Sequence, residues 1–232
     1  MSKYGQYCPV ARSAEILGDR WTLLILRDLL CGVQHFNDLE RGLPGIPRAL
    51  LSERLRRLQR VGVLERESAP RGKKACYQLT QAGRELMPLL DILIQWGAKW
   101  AFGEPELSEL DPVLLMWWMH DRVNPERLPQ RRVVVEFDFR GASVGSYWLV
   151  LKGEEASVCH QHPGFDVDVV VAADLAAMYK VWLGQITFAE AMHDGSIELQ
   201  APPSLARAFT TWFALSVAAV RVRQARALQH SA

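Results

Sequence analysis

Arginine is concentrated in one segment of the chain, residues 47–61, where it is interleaved with leucine. On a helical wheel the leucines cover one face of this segment and the polar residues cover the opposite face. The polar face carries Arg48, Ser52, Arg56, Arg57 and Arg60. Guanidinium groups pair with phosphate oxygens and with guanine edges, so this face is suited to binding a nucleic acid. The pattern alone leaves a simpler alternative open, a solvated helix face with surface arginines.

A second cationic segment follows the first. Residues 63–67 and 75–79 predict two strands, and Pro70 and Gly72 predict a turn between them. The tip of this turn carries three cations and no acidic residue, namely Arg71, Lys73 and Lys74. A helix in the major groove beside a basic hairpin over the phosphate backbone is the arrangement of a winged helix-turn-helix domain.

The cations of the two segments have different expected roles, because phosphate contacts position a protein on DNA and base contacts specify the sequence. Arg48, Ser52 and Arg56 share one stripe near the helix start, and we expect them to contact base edges. The remaining cations are expected at phosphates, and they are Arg57, Arg60, Arg71, Lys73 and Lys74.

Apolar spacing predicts the helices that must hold these segments in place. One helix is predicted over residues 9–17, a second begins after Asp19 as its cap, and a short third covers residues 36–41. After the hairpin, Thr80 is predicted to cap one long helix over residues 81–101. So much of the apolar surface of this last helix lies outside a compact three-helix unit that we expect a partner chain to cover it.

The charge of the chain is unevenly distributed. The net charge is +1, yet residues 1–101 hold 16 Lys and Arg against 10 Asp and Glu, and the remainder holds 11 against 16. A polyanion-binding domain joined to a different domain explains this contrast. Residues 102–112 are acidic and contain two prolines, and they are predicted to be a linker to a second domain over residues 113–232.

The second half has a different pattern. Alternating and apolar runs predict five strands, over residues 133–139, 147–151, 156–160, 166–172 and 196–200. Helical spacing predicts four helices, over residues 112–123, 174–183, 187–192 and 205–227. An antiparallel sheet with helices on one side is an α+β arrangement. The whole chain is therefore predicted to be α+β, with a winged helix-turn-helix domain first.

Six motifs occur together in residues 7–100. They are Tyr7-Cys8-Pro9-Val10-Ala11, Gly18-Asp-Arg-Trp21-Thr-Leu-Leu-Ile-Leu-Arg-Asp-Leu-Leu30, Phe36-Asn-Asp-Leu, Leu43-Pro-Gly-Ile46, Leu50-Leu-Ser-Glu-Arg-Leu-Arg-Arg-Leu58 and Tyr77-Gln-Leu-Thr-Gln-Ala-Gly-Arg-Glu-Leu86. Taken together, this region resembles the HxlR-type winged helix-turn-helix regulators. The resemblance implies a homodimeric bacterial transcription regulator that binds double-stranded DNA, with the first and last helices of the domain forming the dimer contact.

One position departs from the pattern of that family. Pro47 and then Arg48 stand where Ser and then Pro usually open the recognition helix. The side-chain cap of the helix is therefore expected to be lost, although its basic face persists.

Cysteine chemistry is a further possibility that the resemblance raises. Some members of that family sense oxidants or electrophiles through a cysteine near the N-terminus, and Cys8 lies in the matching segment. A reactive thiol needs thiolate character and solvent access, whereas cysteines outside disulfides are usually buried and inert. Cys8 is thus a candidate redox residue, and Cys31 and Cys76 are expected to be structural.

A second set of motifs lies in residues 130–216. It consists of Gly141…Trp148, Phe165-Asp-Val-Asp-Val-Val-Val, Ala173-Asp-Leu, Trp182-Leu-Gly184, Ala189…Asp194-Gly-Ser-Ile197 and Leu205-Ala-Arg-Ala-Phe209. Their spacing resembles the sterol-carrier-protein type 2 fold. This resemblance implies an apolar cavity that holds a lipid-like or other hydrophobic small molecule, which would be the effector of the regulator. The candidate lining residues are Trp148, Met178, Tyr179, Trp182, Phe188, Met192, Phe209, Trp212 and Phe213. Taken one by one, the same residues are also explained as plain core.

Composition disfavours several classes of protein. A chain that is 49% hydrophobic and 23% charged is typical of a globular protein and not of a disordered or fibrous one. No apolar run approaches the about 20 residues that span a bilayer, and the start lacks the apolar region of a signal peptide. The four scattered cysteines fit reduced thiols and argue against structural zinc. We expect a cytoplasmic protein without membrane association.

An enzymatic function is not indicated. His160 and His162 precede Asp166 and Asp168, so a metal or acid–base site is conceivable there. The chain has no nucleophile elbow, phosphate loop or zinc-protease motif. We therefore expect no catalysis, metal or cofactor. The alternative to a regulator is a carrier of hydrophobic ligands whose N-terminal part is mainly a dimerisation module.

Overall fold

The computed structural model describes residues 4–67, 75–141, 143–153 and 155–229. The chain divides between residues 93 and 94 into two compact units, termed the N-terminal unit and the C-terminal unit. Each unit has an apolar core of its own. Within the described ranges, none of the helices has both the length and the apolar character needed to cross a membrane.

The N-terminal unit consists of a helical core and a two-stranded hairpin. Its elements are α1 (Pro9–Leu17), α2 (Thr22–Leu30), α3 (Phe36–Gly42), α4 (Arg48–Arg60), β1 (Leu64–Glu67), β2 (Cys76–Leu79), α5 (Gln81–Arg84) and α6 (Met87–Trp100), which continues past residue 93. The two strands pair antiparallel, which confirms the predicted hairpin.

The predicted two-faced character of α4 is confirmed. Leu51, Leu55 and Leu58 follow one another at intervals of four and three residues, and all three are fully buried in the core. Burial of a leucine side chain contributes about 1.5–3 kcal/mol, so these three residues fix the rotation of the helix about its axis. The opposite face consequently points away from the core. The helix begins after Pro47 without a side-chain cap, as expected.

The hairpin is held against α5. Thr80 caps α5 by accepting a hydrogen bond from the backbone N–H of Gly83, which confirms the predicted cap. A Cβ atom at Gly83 would lie 2.2 Å from the carbonyl oxygen of Val63, at the start of the hairpin. The two backbones therefore approach too closely for any side chain at this position.

Two predictions about the N-terminal helices are wrong. The single helix predicted over residues 81–101 is broken into α5 and α6, because Pro88 has no backbone N–H and its ring excludes the carbonyl of the preceding turn. Asp19 does not cap α2. The helix begins at Thr22 after Trp21, whose φ is 78°, and the carboxylate of Asp19 pairs with Arg57.

The C-terminal unit is built on one five-stranded sheet. Its strands are β3 (Val133–Arg140), β4 (Gly145–Lys152), β5 (Glu155–Cys159), β6 (Val169–Asp174) and β7 (Ile197–Gln200), in the order β5-β4-β3-β6-β7. The predicted alternation of β3 is confirmed from Val135 to Phe139, since Val135, Phe137 and Phe139 are fully buried. It is wrong at Val134, which was expected on the other face and is also buried. The prediction of a purely antiparallel sheet is wrong, because β3 and β6 are parallel. The chain crosses the sheet after β5, so β6 enters beside β3 in the same direction.

Five helices accompany this sheet within the described residues. They are α7 (Pro112–His120), α8 (Leu175–Trp182), α9 (Phe188–His193), α10 (Pro203–Phe209) and α11 (Ala219–Gln229). The single helix predicted over residues 205–227 is wrong, because it is divided into α10 and α11. Between them, the carbonyl of Trp212 accepts a hydrogen bond from the backbone N–H of Asn124 at 2.7 Å, and the backbone N–H of Ala214 donates to the carbonyl of Arg122 at 2.8 Å. These tertiary hydrogen bonds replace the helical ones.

Candidate functional site

An open concavity of about 820 Å³ lies where the N-terminal half of α4 meets α3 and the hairpin, and it is termed the α4 groove. Among the described residues its lining contains two arginines and no carboxylate. The lining residues are His35, Phe36, Asn37, Arg48, Ala49, Ser52, Arg66, Ala75 and Tyr77. A cationic concavity along one helix is suited to a polyanion.

Arg48 is oriented by α3. Its Nη1 forms an ion pair with Glu40, its Nη2 donates to Asn37 Oδ1 at 3.1 Å, and its Cζ lies 4.7 Å from the centre of the Phe36 ring. The side chain nevertheless remains 63% exposed. An exposed ion pair contributes only about 0–1 kcal/mol, so a nucleic acid could replace Glu40 at small cost.

Arg66 is a groove residue that the sequence analysis missed. It lies on β1 opposite Tyr77, with its Cζ 6.0 Å from the centre of that ring. It follows Leu64 by two residues and so belongs to the face of β1 that Leu64 buries in the core. The alternation of side chains along a strand could have identified Arg66 from the sequence, because it places this side chain on the face of β1 that points towards α4.

The rest of the exposed α4 face lies on the following turns. Arg56 and Arg60 are exposed and border a second, shallow concavity together with Glu53 and Gln59. Arg56 Nε donates to the backbone carbonyl of Ser52 at 3.3 Å. A helix of 13 residues is about 20 Å long, and the major groove of DNA is about 12 Å wide. The dimensions of this face therefore suit insertion of its N-terminal half.

Arg57 is not part of the exposed face. Its Nη1 pairs with the carboxylate of Asp19 and its Nη2 donates to the backbone carbonyl of Glu15, and its side chain is only 15% exposed. Arg54 is equally buried, with Nη1 3.7 Å from the Asp19 carboxylate. Both guanidinium groups tie α4 to the end of α1 and the turn that follows it. The expected phosphate role of Arg57 has no support in this geometry.

Three of the predicted cations cannot be placed. Arg71, Lys73 and Lys74 lie outside the described residues, so the expected role of the hairpin tip stays a prediction. The structure does bring Arg48 and Ser52 together in the α4 groove, with Arg56 on the next turn.

The four cysteines form no disulfide. Cys8 is half-buried directly before α1. Cys31, which was expected to be structural, is exposed where α2 ends. Cys76 is half-buried, with its Sγ 3.6 Å from a carboxylate oxygen of Glu67. A sensing role of Cys8 stays a prediction.

An apolar cavity of about 140 Å³ lies inside the C-terminal unit. Five of the predicted lining residues border it, namely Met178, Trp182, Phe188, Phe209 and Phe213. Seven other residues complete its lining, which are Met119, Val181, Ile186, Thr187, Thr210, Leu215 and Arg223. Three of these seven are polar and three are aliphatic, so aromatic composition gave no signal for them.

The other four predicted residues do not line this cavity. Trp212 is fully buried and packs edge-on against Phe209, at 5.5 Å between ring centres. Tyr179 is buried and its hydroxyl donates to the carbonyl of Asp111 at 2.9 Å. Burial raises the pKa of this tyrosine far above its ordinary value. Trp148 packs on His162, and Met192 is exposed.

Three residues considered for a metal or acid–base site each contact a different neighbour. His160 lies edge-on against Tyr147 at 5.8 Å, and His162 Nδ1 accepts from the backbone N–H of Gly164 at 3.1 Å. Asp168 pairs with Arg131 at 2.7 Å. Within the described ranges, no group of three histidine, cysteine, aspartate or glutamate side chains is arranged to hold a metal ion.

Helix α6 exposes a large apolar surface. Its exposed side chains are Met87, Leu89, Ile92, Leu93, Trp96 and Trp100, and the two tryptophans are 60% and 67% exposed. Near the start of the chain, Tyr4, Tyr7 and Val10 are also exposed. Apolar patches of this extent on a protein surface commonly mark sites of interaction with another protein.

A protein-family model described as HxlR-like helix-turn-helix matches residues 16–104 of the chain. The uncharacterized HTH-type transcriptional regulator Rv3095 of Mycobacterium tuberculosis is 48% identical over 91 residues, which are 38% of this chain and 56% of that protein. The chain thus matches little more than half the length of that relative.

Two further proteins match comparable shares of this chain. The uncharacterized HTH-type transcriptional regulator YvaP of Bacillus subtilis is 36% identical over 97 residues, which are 41% of this chain and 90% of that protein. The protein in the crystal structure of PA1607 has 38% sequence identity to this chain and a TM-score of 0.42. The match covers 46% of this chain and 74% of that chain.

Proposed function

Because this chain belongs to the HxlR-like helix-turn-helix family, we propose that it is a DNA-binding transcriptional regulator whose helix α4 enters the major groove. The observation that carries the proposal is the division of α4 into two faces. Leu51, Leu55 and Leu58 hold the helix in the core, and Arg48 and Arg56 consequently lie on the exposed side. Arginine on an exposed helix face is the commonest means of contacting guanine in the major groove.

The contacts divide between base edges and phosphates. Arg48, Ser52 and Arg56 are assigned to base edges, because they lie in the N-terminal half of α4 and its middle turn. Arg60 and Arg66 flank this stripe and are assigned to phosphates. The cations of the hairpin tip, Arg71, Lys73 and Lys74, are proposed to contact phosphates farther along the duplex. Arg57 is assigned instead to holding α4 on α1, on the strength of its pairing with Asp19.

The functional form is proposed to be a homodimer. The apolar side chains of α6 are exposed in one chain, and a second copy would cover them. Exposed tryptophans such as Trp96 and Trp100 are enriched in protein interfaces. Tyr7 and Val10, beside and within α1, offer further apolar surface for the same contact. Two copies of α4 would then contact an inverted repeat, one half-site each.

The C-terminal unit is proposed to bind a small effector. A ligand can alter DNA binding only if it binds one arrangement of the dimer better than another. The alternative function, a lipid carrier, is less well supported, because ligand sites for molecules of that size occupy about 300–1,000 Å³ and the cavity measures about 140 Å³. The resemblance to sterol-carrier proteins stays a prediction.

An electrophoretic mobility-shift assay tests the proposal. The probe is the DNA upstream of the gene for this protein, and a shuffled duplex of equal length is the competitor. We expect a retarded complex with the upstream DNA that survives excess competitor. The variant Arg56→Ala should lose this preference, and Lys152→Ala, on the exposed end of β4, serves as the matched control. A protein that retards neither duplex, yet yields a lipid in an organic extract, would be a carrier.

A further inference from the structure

We propose that the apolar cavity of the C-terminal unit binds a single-ring aromatic carboxylate, with Arg223 as the cation that receives the carboxylate. The inference rests on the proposed effector role of this unit and specifies the ligand that the role requires. It is drawn from the size of the cavity, the chemistry of its lining and the position of Arg223.

The size of the cavity limits the ligand to about one ring. The cavity measures about 140 Å³, and an engineered apolar cavity of about 150 Å³ in another protein binds benzene. A benzene-sized body therefore fits this partly open cavity. A sterol or a long acyl chain does not fit without a rearrangement of the packed core around it.

The lining favours an aromatic body over an aliphatic one. Phe209 lies at the centre of the wall, with ring centres 5.6 Å from both Phe188 and Phe213, and these pairs are tilted or edge-on. All three rings line the cavity, so a ligand ring inside it would contact them in the offset or edge-on arrangements that aromatic pairs prefer. Met119 and Met178 add thioether groups, which contact aromatic rings favourably.

Arg223 gives the cavity its charge. It is the one charged residue among the described lining residues, and it lies on the second turn of α11. No carboxylate in the described part of the chain lies within ion-pair distance of it. Its charge does act on Glu190, whose pKa is lowered mainly by hydrogen bonds from Thr187 and further by the charges of Arg226 and Arg223. The carboxylate of Glu190 is already used, because Thr187 donates to it from both its backbone N–H and its hydroxyl group.

The backbone holds Arg223 over the cavity. Gly184 adopts a φ of +77°, and a Cβ atom there would lie 2.6 Å from the carbonyl oxygen of Ala219, at the start of α11. Arg226 donates to the carbonyl of Gln185 at 2.7 Å. Ala219, Arg223 and Arg226 follow at intervals of four and three and therefore share one face of the helix. Arg223 therefore lies between two contacts of α11, that of Ala219 with Gly184 and that of Arg226 with Gln185.

Together these features match an amphipathic anion of small size. The ring would occupy the apolar cavity, and the carboxylate would remain beside Arg223. A guanidinium group pairs with a carboxylate through two parallel hydrogen bonds, which gives both affinity and orientation. Neutral aromatic molecules would fill the same space without that contact.

Isothermal titration of the full-length protein with benzoate, in the absence of DNA, tests this inference. We expect one benzoate per chain. The variant Arg223→Gln should weaken benzoate binding about 10- to 100-fold, which corresponds to the loss of a charged hydrogen bond. Benzamide, which has the same ring and no charge, should bind the wild type more weakly than benzoate and should bind Arg223→Gln and the wild type equally. The matched control is Arg221→Gln, on the same helix but about 200° around its axis, and it should leave benzoate binding unchanged.

Two results would overturn the inference. One is the absence of benzoate binding to a wild-type protein that retards upstream DNA, which would leave the regulator proposal intact. The other is equal benzoate affinity of the wild type and a folded Arg223→Gln variant, with circular dichroism verifying the fold. Benzoate binding that depends on Arg223, in a protein that binds no DNA, would support the site and refute the regulator proposal instead.

Discussion

Replacing Arg57 should lower the stability of the N-terminal unit without removing a DNA contact. The residue lies on the arginine-rich helix, but its guanidinium pairs with Asp19 and donates to the carbonyl of Glu15. The variant Arg57→Met keeps most of the aliphatic side chain and removes only these polar contacts. The matched variant Arg56→Ala, one residue away, removes an exposed guanidinium.

The magnitude follows from the two contacts. A hydrogen bond to a charged group contributes about 1.5–3 kcal/mol when it is shielded from water, as it is for a side chain that is 15% exposed. Asp19 is itself 23% exposed and keeps Arg54 at 3.7 Å, so its charge does not become isolated. We therefore expect Arg57→Met to lower the free energy of unfolding by about 2–4 kcal/mol. Arg56→Ala should change it by no more than about 0.5 kcal/mol.

Urea unfolding followed by circular dichroism measures the difference. With a slope of about 2 kcal/mol per molar urea, Arg57→Met should move the midpoint of the N-terminal transition down by about 1–2 M. The DNA affinities should show the opposite order, with Arg56→Ala impaired and folded Arg57→Met close to the wild type. The reasoning is refuted if Arg57→Met unfolds at the wild-type midpoint, or if both variants lose DNA binding equally.

Three further predictions concern other parts of the molecule. Gly83→Ala should lower the free energy of unfolding by about 2–3 kcal/mol in urea titrations, because its Cβ would meet the Val63 carbonyl at 2.2 Å, and wild-type stability would contradict this close approach. Trp96→Glu should shift the mass measured by light scattering from that of a dimer to that of a monomer, and an unchanged mass would exclude α6 from the dimer contact. Burial raises the pKa of Tyr179, so the unfolded state loses this proton first and stability should fall as the pH rises above about 10. In urea titrations the variant Tyr179→Phe should lose less stability at alkaline pH than the wild type. At neutral pH it should be about 1 kcal/mol less stable, because the hydrogen bonds between Tyr179 and Asp111 are lost. Identical dependence of stability on pH in both proteins would contradict this assignment.

The sequence predicted the two faces of α4 well because their signal is local. The spacing of Leu51, Leu55 and Leu58 determines which side of α4 is buried, and no distant residue is needed to infer it. The direction of Arg57 could not be inferred in the same way. On the wheel it lies at the border between the two faces, and its orientation is decided by Asp19, 38 residues earlier in the chain.

The helix breaks illustrate two kinds of error. The break before α6 was visible in the sequence, because Pro88 cannot donate a helical hydrogen bond. Apolar residues keep a helical spacing on both sides of Pro88 and conceal the break. The break between α10 and α11 was not visible. It depends on hydrogen bonds from Asn124 to Trp212 and from Ala214 to Arg122, which form only in the folded unit.

The cavity shows what composition can and cannot indicate. Aromatic residues after the linker predicted several of its walls, since apolar ligands need such surfaces. The same criterion also selected Trp212, which packs in the core, and it passed over Arg223, whose position depends on how α11 lies on Gly184. The mixed sheet was likewise not predictable, because the alternation within β6 does not state which strand lies beside it.

The central claim is that the exposed face of α4 binds duplex DNA and distinguishes its sequence. Fluorescence anisotropy of the labelled upstream duplex, titrated with wild-type protein and with Arg56→Ala at several salt concentrations, measures this most directly. The account predicts that wild-type affinity falls steeply with salt, and that Arg56→Ala loses about 1–3 kcal/mol on the upstream duplex and clearly less on a shuffled one. Equal losses on both duplexes, or no binding to either at low ionic strength, would contradict it.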